Sequence, residues 1–89
     1  MRIIWDATKR LANLRRHGFD FSDARQVFEG ITYTIEDTRF DYGERRFITL
    51  GLLGDTVVVI VHTETHEELR VISMRKATRN EQTVYFENI

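Results

Sequence analysis

The side chains of this 89-residue chain that could do chemistry are mostly cations, gathered in two short segments. The first segment contributes Lys9, Arg16 and His17, and the second contributes Arg70, Arg75, Lys76 and Arg79. Cations held in fixed positions bind phosphates, and the planar arginine fork can donate two hydrogen bonds to one phosphate. The same cations could instead form a solvated rim of the domain. Their charge alone leaves both interpretations open.

The second cationic segment follows two runs that predict a rigid sheet. Residues 57–62 and 69–74 are rich in β-branched side chains and lie close together in sequence. Such runs are typical of buried strands, and their spacing favours an antiparallel hairpin. The sheet would therefore present Arg75 and Arg79 where the second strand ends.

The first cationic segment lies on a predicted helix. Residues 2–5 form a short strand-like run, Asp6 occupies the position of an N-cap, and Gly18 fits a left-handed residue after the helix. Ala7, Leu11 and Leu14 recur at i, i+4 and i+7, which predicts one buried stripe. The polar residues Lys9, Asn13, Arg16 and His17 fall on another face.

The rest of the chain predicts an α+β domain. The expected elements are a helix over 21–29, strands over 31–35 and 45–53 separated by a loop over 36–44, and a last helix after a capping box at 78–81. Two helices followed by hairpin-connected strands favour helices packed on one face of a mainly antiparallel sheet, with the other face open. We expect residues 1–89 to form a single domain.

Composition excludes several protein classes. The chain is 42% hydrophobic and 30% charged, which is typical of ordinary globular proteins rather than disordered tails. It has no cysteine, so thiolate chemistry and disulfides are absent. No apolar run approaches membrane-spanning length and the N-terminus is too polar for a signal peptide, so we expect a cytoplasmic protein. A net charge of −1 argues against a generic nucleic-acid coat.

Several short motifs resemble a known family over essentially the full length. They are Trp5-Asp6, Lys9, Asn13, Arg16-His17-Gly18, Gly43-Glu44-Arg45-Arg46-Phe47, Gly51, Val61-His62-Thr63, the run from Arg70 to Glu81, and Tyr85. Together they closely resemble the BrnT toxins of bacterial type II toxin–antitoxin pairs. The resemblance implies a RelE-like fold, a ribonuclease that halts translation, and a BrnA-type antitoxin with a ribbon-helix-helix DNA-binding domain. Arg16 departs from the lysine usual in that family, which keeps the charge and alters the donor geometry.

Metal-independent RNA cleavage would suit the residue types present. It needs a base for the ribose 2′-OH, cations for the charged transition state and an acid for the leaving oxygen. We expect His62, Arg75, Arg79 and Lys9 to be catalytic, with His62 as general acid or base, although a histidine after an apolar run is often simply buried. We expect RNA contacts from Arg16, His17, Arg70, Lys76 and Tyr85. The acids show no ligand spacing, so we expect neither a metal nor another cofactor.

Two other function classes remain open from the sequence. The chain could be a non-catalytic RNA- or DNA-binding module that uses the same cations, or a protein-interaction domain whose basic surface binds an acidic partner. Under the BrnT interpretation, the expected partners are an RNA substrate and a BrnA-type antitoxin in a 2:2 complex that binds operator DNA through the antitoxin. No membrane partner is expected.

Overall fold

A computed structural model describes all of residues 1–89 and contains five strands and three α-helices. The elements are β1 (Arg2–Trp5), α1 (Ala7–His17), a 3₁₀ turn (Phe21–Asp23), α2 (Ala24–Glu29), β2 (Tyr33–Asp37), β3 (Arg46–Leu53), β4 (Thr56–Glu64), β5 (Glu68–Lys76) and α3 (Arg79–Glu87). None of the helices combines the length and the apolar character needed to cross a bilayer.

The strands form one sheet in the order β1-β5-β4-β3-β2. Strands β2 to β5 pair antiparallel with their neighbours, and β1 pairs parallel with the first half of β5. The pairing of β4 with β5 shifts register beside Val61 and His62, so Ile72 of β5 is left without a partner in β4. The predicted α+β class with a mainly antiparallel sheet is confirmed.

The helices lie on both faces of the sheet, so the prediction that they share one face is wrong. Alternating β4 residues belong to two separate cores, because successive side chains of a strand point to opposite faces. Val58 and Ile60 pack with the 3₁₀ turn and α2, whereas Val57 and Val59 pack with Tyr85 of α3. We call these the α2 face and the α3 face. The α3 face is partly covered by α3 rather than open.

Helix α1 is turned over relative to the prediction. Leu11 and Leu14 are 53% and 40% exposed, and the buried residue of the helix is the polar Asn13. The cause is the position of α1. Strand β1 pairs only with residues 68–71 of β5, and α1 lies beside the remaining part of that strand. The backbone of a buried strand edge needs hydrogen-bond partners, and the Asn13 side chain bonds both the N–H and the C=O of Met74. The apolar stripe predicted to be buried therefore faces outward.

Strand β2 begins two residues later than predicted and continues to Asp37. Its register places Tyr33 opposite Leu50 and Asp37 opposite Arg46. Ile31 lies before the strand and is largely exposed. The buried carboxylate of Asp37 at the end of β2 accepts hydrogen bonds from the Arg39 guanidinium and the Tyr42 hydroxyl, contacts that sequence patterning does not reveal.

Candidate functional site

An open groove runs between α1 and the free edge of β5. Its lining consists of Lys9, Ala12, Asn13, Arg16 and His17 from α1, and Ile72 and Ser73 from β5. The 11-residue α1 starts at an Asp6 N-cap that accepts a hydrogen bond from the Lys9 N–H, and it stops at Gly18 in the left-handed conformation. The groove therefore brings together the predicted residues Lys9, Arg16 and His17.

Asn13 fixes the distance between the two walls of the groove. Its Nδ2 donates to the carbonyl oxygens of Met74 at 2.8 Å and Phe19 at 3.1 Å, and its Oδ1 accepts from the Met74 N–H at 3.1 Å. The Ser73 side chain points to the α3 face, because Ser73 pairs with Val61. The groove walls are thus joined by buried hydrogen bonds instead of by apolar packing.

The cations of the groove have no carboxylate partner. Seven of the thirteen Lys and Arg side chains form ion pairs, and Lys9 and Arg16 are not among them. His17 forms none either. Unpaired cations that share one concave surface create a positive potential for an anionic ligand.

Arg75 lies on the α3 face two residues beyond Ser73, so their Cα atoms are about 6–7 Å apart along the strand. Its Nη1 and Nη2 donate to the Glu81 carboxylate at 2.8 and 2.9 Å. Hydrogen bonding from Arg75 lowers the pKa of Glu81 to about 2, and the same contact raises the pKa of Arg75. Arg75 therefore lies next to the groove along β5, and we call the groove and Arg75 together the cationic strip.

Other arginines of the α3 face are also held by carboxylates. Arg39 donates two hydrogen bonds to Asp37, whose carboxylate is buried and also accepts from the Tyr42 hydroxyl at 3.0 Å. The Arg39 guanidinium holds the pKa of Asp37 far below its usual range. Arg70 donates to both oxygens of Glu44 at 2.9 Å. Sequence reasoning missed these pairs, and only Arg70 was among the expected site residues.

His62, which the sequence predicted to be catalytic, is fully buried. Its ring lies on the α2 face, edge-on to Phe28 and stacked with Phe47. Its Nε2 is 2.7 Å from the Thr49 hydroxyl, and burial lowers the pKa of His62 from 6.5 to about 4. Its Nδ1 is 3.4 Å from a Glu64 oxygen but not in hydrogen-bonding geometry. Neither ring nitrogen is exposed at the surface of this structure.

Tyr85, which the sequence predicted to contact RNA, is also a core residue. The side chain is 1% exposed and belongs to the core between α3 and the sheet. Its hydroxyl donates to the Ile31 carbonyl oxygen at 2.7 Å, which joins α3 to the segment before β2. The aromatic ring and the hydroxyl are both engaged within the protein.

The remaining expected cations lie at the end of β5 and the start of α3. Lys76 is exposed, and its pairing with Val58 directs it to the α2 face, away from Arg75. Arg79 is the first residue of α3, is exposed and forms no ion pair. No three His, Cys, Asp or Glu side chains are grouped so as to hold a metal ion. The structure thus contains a cationic strip and no cluster of carboxylates that could hold a metal ion.

Comparison with known proteins identifies the family. Residues 5–81 match the family model described as the ribonuclease toxin BrnT of type II toxin–antitoxin systems. The chain belongs to the BrnT family. The BrnT match includes the groove residues, Arg75, Arg79 and Glu81, and ends before Tyr85.

A solved BrnT protein has the same fold. The 1.1 Å crystal structure of the Brucella abortus ribonuclease toxin BrnT is 32% identical in sequence and superposes with a TM-score of 0.71. The match covers 89% of this chain and 99% of that chain. No curated protein matches the chain. The family assignment expected from the sequence motifs is confirmed. The BrnT family is one of ribonuclease toxins of type II toxin–antitoxin systems.

Proposed function

We propose that this BrnT-family chain is a metal-independent endoribonuclease whose active surface is the cationic strip formed by the α1–β5 groove and Arg75. The observation that carries the proposal is the grouping of Lys9, Arg16 and His17, none of them ion-paired, around one groove that also contains Ser73. RNA is the matching ligand, since its backbone phosphates follow such a strip and counterion release favours their binding.

The groove supplies the functional groups that RNA cleavage requires. Attack of the ribose 2′-oxygen on the adjacent phosphorus needs a proton acceptor for the hydroxyl and a donor for the departing 5′-oxygen. With His62 buried, we assign proton transfer to His17 and Lys9. Arg16 and Arg75 would offset the charge that develops on the phosphorane oxygens. Arg70 and Arg79 would contact the flanking backbone.

The proposal excludes a required metal ion, because the acids near the strip already serve as partners of arginines. Glu81 and Glu44 accept hydrogen bonds from Arg75 and Arg70, and no acid lines the α1–β5 groove. Cleavage of a defined RNA should therefore be unchanged in excess EDTA. Loss of cleavage in EDTA that is restored by magnesium or manganese would contradict this part of the proposal.

We further propose that a BrnA-type ribbon-helix-helix antitoxin neutralises the toxin in the cytoplasm. The type II family implies an antitoxin and an RNA target. Two features of α1 support a contact there. Leu11 and Leu14 face outward, and Arg15 and Arg16 beside them are free of ion pairs. A dimeric DNA-binding domain in the antitoxin would give a 2:2 complex that binds operator DNA.

Removal of Arg75 tests the active surface. Arg75→Ala should lower RNA cleavage by about 10²- to 10³-fold, as the loss of one transition-state donor does in other enzymes. The matched control is Arg25→Ala, which removes an exposed, unpaired arginine from α2. Cleavage of a defined RNA by purified protein, growth after controlled expression, and circular dichroism are the measurements. A folded Arg75→Ala protein that cleaves like the control would refute the site.

The same assay separates the enzyme from a binding module. A non-catalytic module would retard RNA on a gel without cutting it, and Arg75→Ala would weaken retardation only. An enzyme yields products that accumulate with time at substoichiometric protein. Product accumulation therefore decides between these two function classes.

A further inference from the structure

We propose that Glu81 is a positioning residue that presents one edge of the Arg75 guanidinium to a phosphate. This inference rests on the proposed function, in which Arg75 contacts the RNA. It concerns a carboxylate that lies within the family match and the motif run from Arg70 to Glu81, but to which neither assigns a role at the site. Glu81 itself would not touch the substrate.

The donors of Arg75 are divided between its two edges. An arginine side chain carries five N–H donors in a planar fork. The Nη1–Nη2 edge donates to Glu81 at 2.8 and 2.9 Å, and Nη1 also donates to the Lys76 carbonyl oxygen at 3.3 Å. The Nε–Nη2 edge has no partner within the protein. That edge retains two parallel N–H donors, which is the arrangement that binds two oxygens of one phosphate.

Glu81 is itself held in place by the start of α3. It occupies the third position of the helix and completes a capping box with Thr78. Its Oε1 accepts from the Thr78 N–H at 2.8 Å, and the Thr78 hydroxyl accepts from the Glu81 N–H at 3.2 Å. The carboxylate therefore links the end of β5 to the first turn of α3. Its side chain cannot rotate freely without breaking the cap.

Charge and burial make this linkage suited to orienting a cation. The side chains of Arg75 and Glu81 are 37% and 28% exposed, so both are partly shielded from water. A flexible arginine would lose side-chain entropy when it binds a phosphate. An arginine that is already held by a carboxylate has lost that entropy on folding. Its free edge can therefore bind a phosphate without rearrangement.

Two neighbouring substitutions separate positioning from helix capping. Glu81→Gln retains an amide oxygen for the Thr78 N–H, as glutamine does in capping boxes, but it removes the second acceptor of Arg75. Thr78→Ala removes the hydroxyl cap and leaves the Glu81 carboxylate with Arg75. We expect Glu81→Gln to lower kcat for RNA cleavage by about 10- to 100-fold, with a melting temperature near that of the wild type. We expect Thr78→Ala to lower the melting temperature by about 4–8 °C and to leave cleavage below the melting transition nearly unchanged.

A double-mutant cycle shows whether Glu81 acts through Arg75. The readout is binding of an RNA blocked by 2′-O-methyl groups, which stays measurable when cleavage is lost. Glu81→Gln should weaken binding in the wild-type background and have no further effect when Arg75 is alanine. A similar loss in both backgrounds would show that Glu81 acts by another route and overturn the inference.

The outcomes also distinguish this inference from the proposed function. Full cleavage by Arg75→Ala would refute the site and the inference together. Loss of cleavage in Arg75→Ala with full activity in Glu81→Gln would refute the inference alone. Faster cleavage by Glu81→Gln would mean that Glu81 withholds Arg75 from RNA, and it would also overturn the positioning role.

Discussion

At the scale of single residues, the most unusual environment belongs to the neutral imidazole of His62. A chain of short contacts runs from the Thr34 hydroxyl to the Thr49 hydroxyl at 2.7 Å, and from Thr49 to His62 Nε2 at 2.7 Å. Phe28 and Phe47 cover the ring. A protonated ring in this site would lose its hydration, and no carboxylate bonds its Nδ1 in compensation.

The environment of His62 predicts that acid destabilises the fold. The pKa of His62 falls from 6.5 to about 4 on burial, so the unfolded chain takes up a proton in this interval and the folded chain does not. The stabilising contribution is complete above pH 6.5 and is lost as pH falls towards 4, by about 3 kcal/mol in total. Urea unfolding at a series of pH values measures this loss.

A substitution separates His62 from the other titrating groups. His62→Gln should abolish most of the pH dependence between 6.5 and 4.5, and His66→Gln, which removes an exposed histidine, should retain it. The carboxylates with lowered pKa values stabilise the fold above their ordinary values of 3.8 or 4.5, and that stabilisation is lost mainly as pH falls below those values. These carboxylates are Asp20, Glu36, Asp37, Glu44 and Glu81. An equal pH dependence in His62→Gln would refute the assignment.

At the scale of elements, the close approach of α2 to the sheet depends on a glycine of β3. A β-carbon placed on Gly51 would lie 2.6 Å from Val27 Cγ1 and 3.2 Å from Thr32 Cγ2. Val27 is fully buried and cannot move away without disturbing the core. The absence of a side chain at position 51 therefore sets how closely α2 packs on β3.

Gly51→Ala should destabilise the fold by about 1–3 kcal/mol through overpacking. Gly30→Ala is the control, because its added β-carbon meets only the Val27 carbonyl oxygen at 3.6 Å and Gly30 has an ordinary negative φ. Chemical denaturation of both variants provides the measurement. Equal stabilities for the two would mean that α2 adjusts its position at little cost.

At the scale of the whole molecule, a net charge of −1 hides a division of the surface. Six of the fourteen acids are paired with arginines, whereas the cations of the α1–β5 groove are unpaired. The α1 surface thus combines positive charge with the outward-facing Leu11 and Leu14. Charge steers association and desolvated apolar anchors supply affinity, so α1 has both properties that a tight protein interface needs.

Reversal of one charge on α1 tests the proposed antitoxin contact. Arg16→Glu should slow association with a BrnA-type antitoxin at low salt and reduce the dependence of that rate on salt. Leu14→Ala should instead accelerate dissociation. Arg25→Glu changes the net charge equally from α2 and serves as the control. Equal association rates for the two charge reversals at low salt would place the antitoxin on another face.

Local patterns in the sequence determined the elements and several of their ends. The β-branched runs became β4 and β5, Asp6 and Gly18 bound α1, and the capping box at Thr78 begins α3. These features depend on hydrogen bonds and side-chain alternation within a few residues, so a linear sequence contains them. The motifs that resemble BrnT toxins likewise indicate the family from the sequence alone.

Only the tertiary structure decided which way each element faces and which charges meet. The periodicity of α1 defined two faces but could not reveal that Asn13 would satisfy the edge of β5 and leave Leu11 outside. The strand pattern around His62 did not reveal that Phe28 and Phe47 would cover it. Burial and ion pairing depend on neighbours that are distant in sequence, and local periodicity contains no information about those neighbours.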